Sequence, residues 1–501
     1  MSALEIGDSP AVIRGVRVAG RGRELLFDDE PVDVFLRAGA IADIAPAGAL
    51  AASGPVLDGT GLHLVPGLWD HHVHVVQWAL VAQRAALGDA ETATQAAAIM
   101  RDAPTQSDGR RVGTGFRDAF WPEPPTRALL DAATGEVPTY LINADVHSVW
   151  LNSAAFRLEG FEPTLDGLLR EEPAFEISRR LNLVDPAAGD EYVERMARAA
   201  AARGIVGLRD FDMAWNADAW ARRVGRGFDA LRVEFGIYPG DLDRAIAEEL
   251  RTGEPVAGGG ELVRVGPLKA ITDGSLGTRT AACSHDYAGD AGNRGVLTIA
   301  PDELLDLMTR ATAAGVESAI HAIGDVANAR ALDAFAYTGA AGRIEHAQLV
   351  ASADIVRFAK LGVGASVQPE HAIDDRDLAD TIWSSQTATP YPLRALADAG
   401  VGLFFGSDAP VSPLDPWAAI AAATSRTRDG REPWRPEQAI EIAVAMDAST
   451  HGGTARPAEI APGAPADLAL CVADPLAADG DGLRAMTVAA TLIGGRLTHL
   501  S

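Results

Sequence analysis

Between residues 62 and 407 the chain keeps one rhythm. A short apolar run of β character is followed, in many cases, by an alanine-rich stretch with helical spacing. Eight such runs occur, at 62–73, 205–211, 231–238, 262–272, 316–322, 342–348, 362–368 and 401–407. Helical partners lie at 303–315, 328–339, 352–362 and 393–400. Each of these four ends on glycine, which enters the left-handed conformation that closes a helix. Strand and helix in alternation predict an α/β fold of the (β/α)8, TIM-like barrel type.

The two ends of the chain follow another pattern. Residues 11–20, 32–44 and 61–67 at the front, and 466–475 and 487–500 at the back, are short β-type runs broken by Gly, Pro and Asp. Neither set alone could bury a sheet face, so the two are expected to combine into one small β-sandwich. About 130 residues separate the first barrel run from the second, far more than one crossover helix requires. The expected organisation is therefore a composite β-sandwich domain from 1–65 and 455–501, a barrel over 66–454, and a lobe inserted at 80–200.

Composition narrows the class without naming a chemistry. The 501 residues are 48% hydrophobic and 22% charged, ordinary for a globular enzyme and unlike a disordered chain. Only two cysteines occur, Cys283 and Cys471, with neither a disulfide framework nor metal-ligand spacing. No run approaches the roughly 20 apolar residues that span a bilayer, and the front of the chain is acidic where a signal peptide is basic. A cytoplasmic location is expected. The net charge of −26 opposes binding to nucleic acid or anionic membranes, which leaves a small-molecule substrate as the expected partner.

Candidate chemistry begins at the end of the first run. His72 and His74 are two apart on a strand and share a face, so their imidazoles can chelate a divalent cation such as zinc. A pair of polar barrel residues would look the same in isolation. His321 and His346 change that, because each stands near the C-terminal end of its run, the face on which barrel active sites lie. Four imidazoles then meet at one rim. Asp408 follows the last run, where a carboxylate can bind a cation and take a proton from attacking water; its other reading is an N-cap before Ala-Pro. Lys269 sits in an otherwise apolar run, where an ammonium is costly to bury. A neutral amine there can take up carbon dioxide and become a carbamate, an anion able to bridge two metals. Pairing with Asp273, or a stem that reaches solvent, would account for it equally well.

These residues and the phrases around them resemble the amidohydrolase superfamily over nearly the whole chain. The nearest likeness is the amidohydrolase-3 branch, which includes N-substituted formamide deformylases. Its phrases appear here as VPGLWDHHVH, DVHSVWLNSAAF, KAITDGSLGTRTAA, HAIGDVA, RIEHAQ, SVQPEH, FGSDAPVSPLDPW and APGAPADLAL. The resemblance implies one or two divalent metals, most simply zinc, with a carbamylated Lys269 bridging if two are bound. It implies that His72, His74 and Asp408 hold the first metal and that His321 and His346 hold the second. Asp408 would also be the catalytic base. His147 and Trp150 in the inserted lobe, and Gln368 and His371 after the seventh run, look like substrate contacts. Members of the branch often form dimers, so a homodimer is allowed, though no feature of this sequence compels one.

Two departures stand out. Residues 380–393 lack the Arg that the branch often places before its Tyr-Pro, and His71 stands where a small residue is commoner. Both are expected to alter the pocket rather than the metals. The segments at 120–122 and 382–385 are the expected walls or lids. The implied activity is hydrolysis of a C–N bond in a small non-peptidic amide, an N-substituted formamide or a cyclic amide. An esterase, lactonase or deaminase on the same barrel, and a non-catalytic barrel scaffold, are the competing functions.

Overall fold

A computed structural model describes residues 4–20, 30–106, 108–118, 121–143, 148–170, 172–182 and 185–501. Its central sheet has eight strands in sequence order: β1 (Leu68–Val73), β2 (Ile205–Asp210), β3 (Arg232–Ile237), β4 (Val263–Ile271), β5 (Ser318–Ala322), β6 (Gly342–His346), β7 (Gly364–Val367) and β8 (Leu403–Phe405). Every neighbouring pair from β1 to β8 is parallel. A parallel bridge between Val73 and Ala409 joins the first strand to the last and closes the barrel. Each of the eight strands falls within one of the eight apolar runs, the front of the first run (His63–Pro66) forming a separate strand, and the fold is the (β/α)8 barrel that their alternation predicts.

Parallel strands are covered on both faces, which is why their sequences run apolar without alternating. All six residues of β1 and of β2 are buried. Three outer helices supply one cover: α1 (Pro301–Ala313), α2 (Asp325–Thr338) and α3 (Ser352–Leu361). On α1 the buried residues are Leu304, Leu307, Met308 and Ala311, a helical stripe with spacings of three and four. Leu304, Met308, Leu332, Phe335 and Phe358 pack with Ile320, Ile344 and Leu403 from the strands in one apolar cluster. Gly339 and Gly362 close α2 and α3 with φ of 65°, the conformation for which glycine carries no steric penalty.

Strands from the two ends of the chain share a second sheet. Its order is Arg496–Leu500, Val488–Ile493, Leu468–Cys471, His63–Pro66, Val12–Val18, Val32–Arg37 and Ala40–Pro46, with Val56–Asp58 also paired to Val12–Val18. The central junction is the antiparallel pairing of Leu468–Cys471 with His63–Pro66. Ile13, Val34 and Leu64 from the front share one apolar cluster with Leu468, Leu492 and Leu497 from the back.

The chain divides into two compact units, Met1–Val75 with Ala197–Ser501, and Val76–Met196. The second occupies the stretch where an insertion is expected and has its own five-stranded sheet, Leu168–Arg170, Ser148–Leu151, Thr139–Asn143, Arg111–Phe116 and Ala85–Ala86 in that order. Leu87, Met100, Phe116, Leu141 and Trp150 form part of its core. Among the described residues no helix is long and apolar enough to cross a membrane.

Leu332 on α2 is fully buried against the barrel strands. Leu332→Ala should destabilise the folded chain by about 2–5 kcal/mol, the usual cost of a buried large-to-small change. Urea unfolding monitored by tryptophan fluorescence measures it, and a loss under about 1 kcal/mol would mean that the α2–barrel packing is looser than described.

Candidate metal centre

The site begins where β8 meets β1. The Asp70 carboxylate accepts the backbone N–H groups of His72 at 3.0 Å and of Ser407 at 3.0 and 3.1 Å, tying the ends of the two strands together. Gly406 lies so close to β1 that a Cβ there would stand 2.7 Å from the His72 nitrogen, so only glycine fits without a shift. The Asp408 N–H then donates to the His72 carbonyl at 2.7 Å, and the His74 N–H donates to the Ala409 carbonyl at 2.9 Å. Asp408 itself is left-handed, with φ of 56°, and His346 has φ of 73°. Two non-glycine residues in this sparsely populated region are held there by their surroundings, a pattern that collects at functional sites.

That backbone arrangement sets the side chains. Asp408 Oδ1 lies 3.5 Å from His72 Nε2 and 3.3 Å from His74 Nε2. His72 Nδ1 donates to Glu345 Oε2 at 2.7 Å, which fixes the tautomer and leaves the Nε2 lone pair facing Asp408 and the Lys269 ammonium, 3.4 Å away. His346 Nδ1 donates to Gln368 Oε1 at 2.9 Å, with the same consequence for its Nε2. The His346 ring lies 4.8 Å from that of His72, 4.5 Å from that of His321 and 6.3 Å from that of His371.

Two sets of donors result, and Asp408 belongs to both. His72, His74 and Asp408 each offer an atom within 4.8 Å of the others, as do His346, His371 and Asp408. His321 joins neither set: its Nε2 faces Asp273 Oδ1 and the Gly274 carbonyl, each at 3.5 Å. His371 Nε2 lies 4.0 Å from Asp408 Oδ2 and has no hydrogen-bond partner. Its role turns on Gln348, whose amide nitrogen is 3.4 Å from His371 Nδ1. With that N–H donating, His371 carries its proton on Nε2 and is a donor toward the site. With the amide turned, its otherwise unpartnered Oε1 would accept from Nδ1 and leave Nε2 free to ligate.

Burial decides the protonation states. It pushes His72 down to about 4 and His321 to about 3, and holds His346 well below its ordinary value, so these imidazoles are neutral near pH 7 and competent to bind a cation. On His74 burial pulls the same way, but the Asp408 hydrogen bond and charge outweigh it and the net shift is upward. Burial would raise Asp408, yet the surrounding imidazoles, His72 foremost, hold it well below the usual carboxylate range. Burial lowers the Lys269 amine to about 8 against the pull of Glu345 and Asp408. A neutral-imidazole and carboxylate set of this kind suits zinc and similar divalent ions. The unpartnered, buried Nε2 of His371 and Nδ1 of His74 are further donors without a protein acceptor. The residues fit a metal.

Several expectations change at this level. Lys269 is 1% exposed and does not reach solvent. Asp273 is not its partner, because it accepts the backbone N–H groups of Ala282, Ile323 and Gly324. Asp408 is not an N-cap; that role belongs to Asp415, whose carboxylate accepts from the Trp417 N–H at the start of helix Pro416–Ser425. His71 does not shape the pocket. Its Nε2 donates to the Thr450 carbonyl at 2.8 Å, its Nδ1 accepts from Arg343 at 3.2 Å, and its ring stands edge-on to Phe404. Trp150 is fully buried in the core of the lobe, and His147 lies outside the described residues. Of the expected lid segments, Phe120 also lies outside them, while Ile382 and Trp383 are buried in an apolar cluster with Tyr287, Tyr391 and Trp434. Glu345, Asp70 and Gln348 are parts of the site that spacing did not reveal. Glu345 carried a signal, a charge inside an apolar strand, of the kind that singles out Lys269.

Residues 55–499 match the model of a family described as the amidohydrolase family. Among curated proteins, the chain is 28% identical over 430 residues to Protein LONG AFTER FAR-RED 3 of Arabidopsis thaliana, covering 78% of this chain and 73% of that protein. It is 26% identical over 505 residues to an N-substituted formamide deformylase of Arthrobacter pascens, covering 90% and 91%. Among solved structures, a metal-dependent hydrolase from Pyrococcus horikoshii superposes with a TM-score of 0.80 at 23% identity, covering 94% of this chain and 99% of that one, a likeness of fold.

Glu345→Gln removes the charge behind His72 Nδ1 while keeping the shape. It should weaken divalent-cation binding by about 10–100-fold, the usual cost of losing such a partner. Competition with a chromophoric chelator measures this. An affinity equal to that of the unaltered chain would remove Glu345 from the account.

Proposed function

The chain belongs to the amidohydrolase family and is a hydrolytic enzyme, and from that premise we propose that it cleaves the C–N bond of a small non-peptidic amide, an N-substituted formamide or a cyclic amide. The observation that carries the proposal is Asp408, a buried carboxylate within 3.5 Å of the Nε2 atoms of both His72 and His74. In this reading His72, His74 and Asp408 would hold one divalent cation, and His346 would hold a second with His321, once the His321 ring turns away from Asp273 and Gly274. Zinc is the metal that this donor chemistry favours. Lys269, a buried amine 3.4 Å from His72 Nε2, is the residue we assign to carbamylation by carbon dioxide, which would make it an anion able to join the ligand set. When bound, such a cation would supply Lewis-acid polarisation of the carbonyl and would lower the pKa of a bound water from about 15.7 to about 7.

The chain's own residues do the rest. Asp408 takes a proton from the attacking water and returns it to the leaving nitrogen, work that a carboxylate held ionised can do. Glu345 and Gln368 keep His72 and His346 in one tautomer and one orientation. His371, protonated on Nε2 while Gln348 donates to its Nδ1, offers a hydrogen bond to the substrate carbonyl oxygen as charge grows there. A small-molecule substrate accords with the net charge of −26, which opposes nucleic acid and anionic membranes, and we assign the chain to the cytoplasm.

Asp408→Asn should lower kcat on a responsive amide by about 10²–10⁴-fold, the range for loss of a general base. Turnover retained in a variant that also retains its metal would exclude the base assignment. Product analysis fixes the reaction class. Release of an amine or ammonia together with the acid is expected, and an acid paired with an alcohol would assign an esterase.

A further inference from the structure

Arg343 and Glu345 stand two apart on β6, so their side chains take the same face of the strand. Both are buried, and Arg343 Nε lies 3.6 Å from Glu345 Oε1. Around them runs a line of hydrogen bonds in which the chemistry of each group allows one direction only. The Thr450 carbonyl can only accept, so His71, 2.8 Å away, carries its proton on Nε2 and keeps a lone pair on Nδ1. Arg343 can only donate, and its Nη1 is 3.2 Å from that lone pair. At the other end Glu345 Oε2 accepts from His72 Nδ1, and the line reaches the metal centre. His71, which stands where a small residue is commoner, is thus the outer anchor of a chain that ends on a ligand.

The Arg343 guanidinium has a shaped seat. Its carbon lies 4.5 Å from the centre of the Phe404 ring, within the range of a cation–π contact. A Cβ on Gly364 would stand 2.7 Å from that ring and one on Gly453 2.6 Å, so two glycines make room for it. Another buried arginine of the barrel, Arg209, is paired with Glu234 at 2.5 Å. Among the described residues Arg343 is the one lysine or arginine whose charge comes within 4.0 Å of Glu345. Lys269 stands farther off, and as a carbamate it would be an anion. Ser366 offers Glu345 only a neutral hydroxyl. A buried carboxylate with one oxygen committed to His72 needs a charge opposite the other, and Arg343 supplies it.

We propose that Arg343 is a positioning residue for the metal centre: facing Glu345 Oε1, and held from behind by His71, it keeps Oε2 on His72 Nδ1 so that His72 presents Nε2 to the cation. The proposal rests on the metal-hydrolase reading, which it deepens by naming what organises the first cation's ligands. A carboxylate that orients a metal-binding imidazole is effective only while it is itself held, and Arg343 is what holds this one.

Competition between the chain and a chromophoric chelator for zinc tests this without any substrate. The chains compared are the unaltered one, Arg343→Gln, Arg343→Lys, Glu345→Gln and the double variant Arg343→Gln with Glu345→Gln. Arg343→Gln should weaken zinc binding by about tenfold, the low end of the usual cost of losing an outer partner. Arg343→Lys returns the charge and should restore most of the affinity. In the Glu345→Gln background Arg343→Gln should cost less than about twofold, because its effect passes through Glu345. Thermal unfolding of the metal-free chains separates affinity from stability. If Arg343→Gln fails to fold, Arg343→Met, of similar length and without charge, takes its place with the same expected outcomes. Lowered stability with unchanged zinc affinity would overturn the proposal and make Arg343 a brace for the barrel. An equal loss of affinity in both backgrounds would overturn it too, as would a lysine variant no better than the glutamine one. The expected pattern in a chain that hydrolyses no amide would uphold Arg343 and count against the amide reading. An unaltered chain that binds no zinc would overturn both.

Discussion

The site depends on the joint between β8 and β1. A parallel barrel must close on itself, and here the closing contacts are also the functional ones. Asp70 binds the backbone of both strand ends, Gly406 lets them approach, and the Asp408 N–H lands on the His72 carbonyl. The same few bonds that end the sheet set a carboxylate against two imidazoles in a place where water cannot screen it. Burial makes His72 and His346 neutral, and the surrounding imidazoles, His72 foremost, hold Asp408 ionised against the burial that would raise it. Neutral nitrogen beside ionised oxygen is what a divalent cation requires. Folding and ligand geometry are therefore one event at this joint, and the left-handed φ of Asp408 is part of its cost.

Around that joint the supporting groups fall into two kinds. Glu345 and Gln368 act on the rings they touch, each accepting a hydrogen bond from the Nδ1–H so that the opposite nitrogen faces inward. Arg343 and His71 continue the network away from the site, from Glu345 to the Thr450 carbonyl.

Much of the fold was legible because it follows from periodicity. Apolar runs followed by helical stretches closed by Gly339 and Gly362 need no long-range knowledge to be recognised. His72, His74, His321, His346, Lys269 and Asp408 were legible too, since polar groups at the ends of apolar strands are costly without a purpose. Less legible was which nitrogen faces where. His321 turns to Asp273 and Gly274, and His71 turns to Arg343 and Thr450, because of partners distant in sequence that no local pattern encodes. Trp150 illustrates the same limit: a tryptophan in a distinctive phrase can be core packing, and here it fills the lobe's interior.

The central claim is that these side chains hold a metal, and the most direct test is metal content per chain together with intact mass, on protein produced with zinc and never exposed to chelator. The account predicts two equivalents of metal and a mass excess equal to one carbon dioxide, lost when the protein is acidified. A single equivalent without the adduct would confine the chemistry to His72, His74 and Asp408 and return Lys269 to a plain amine. A chain that folds and binds no metal at all would contradict the account.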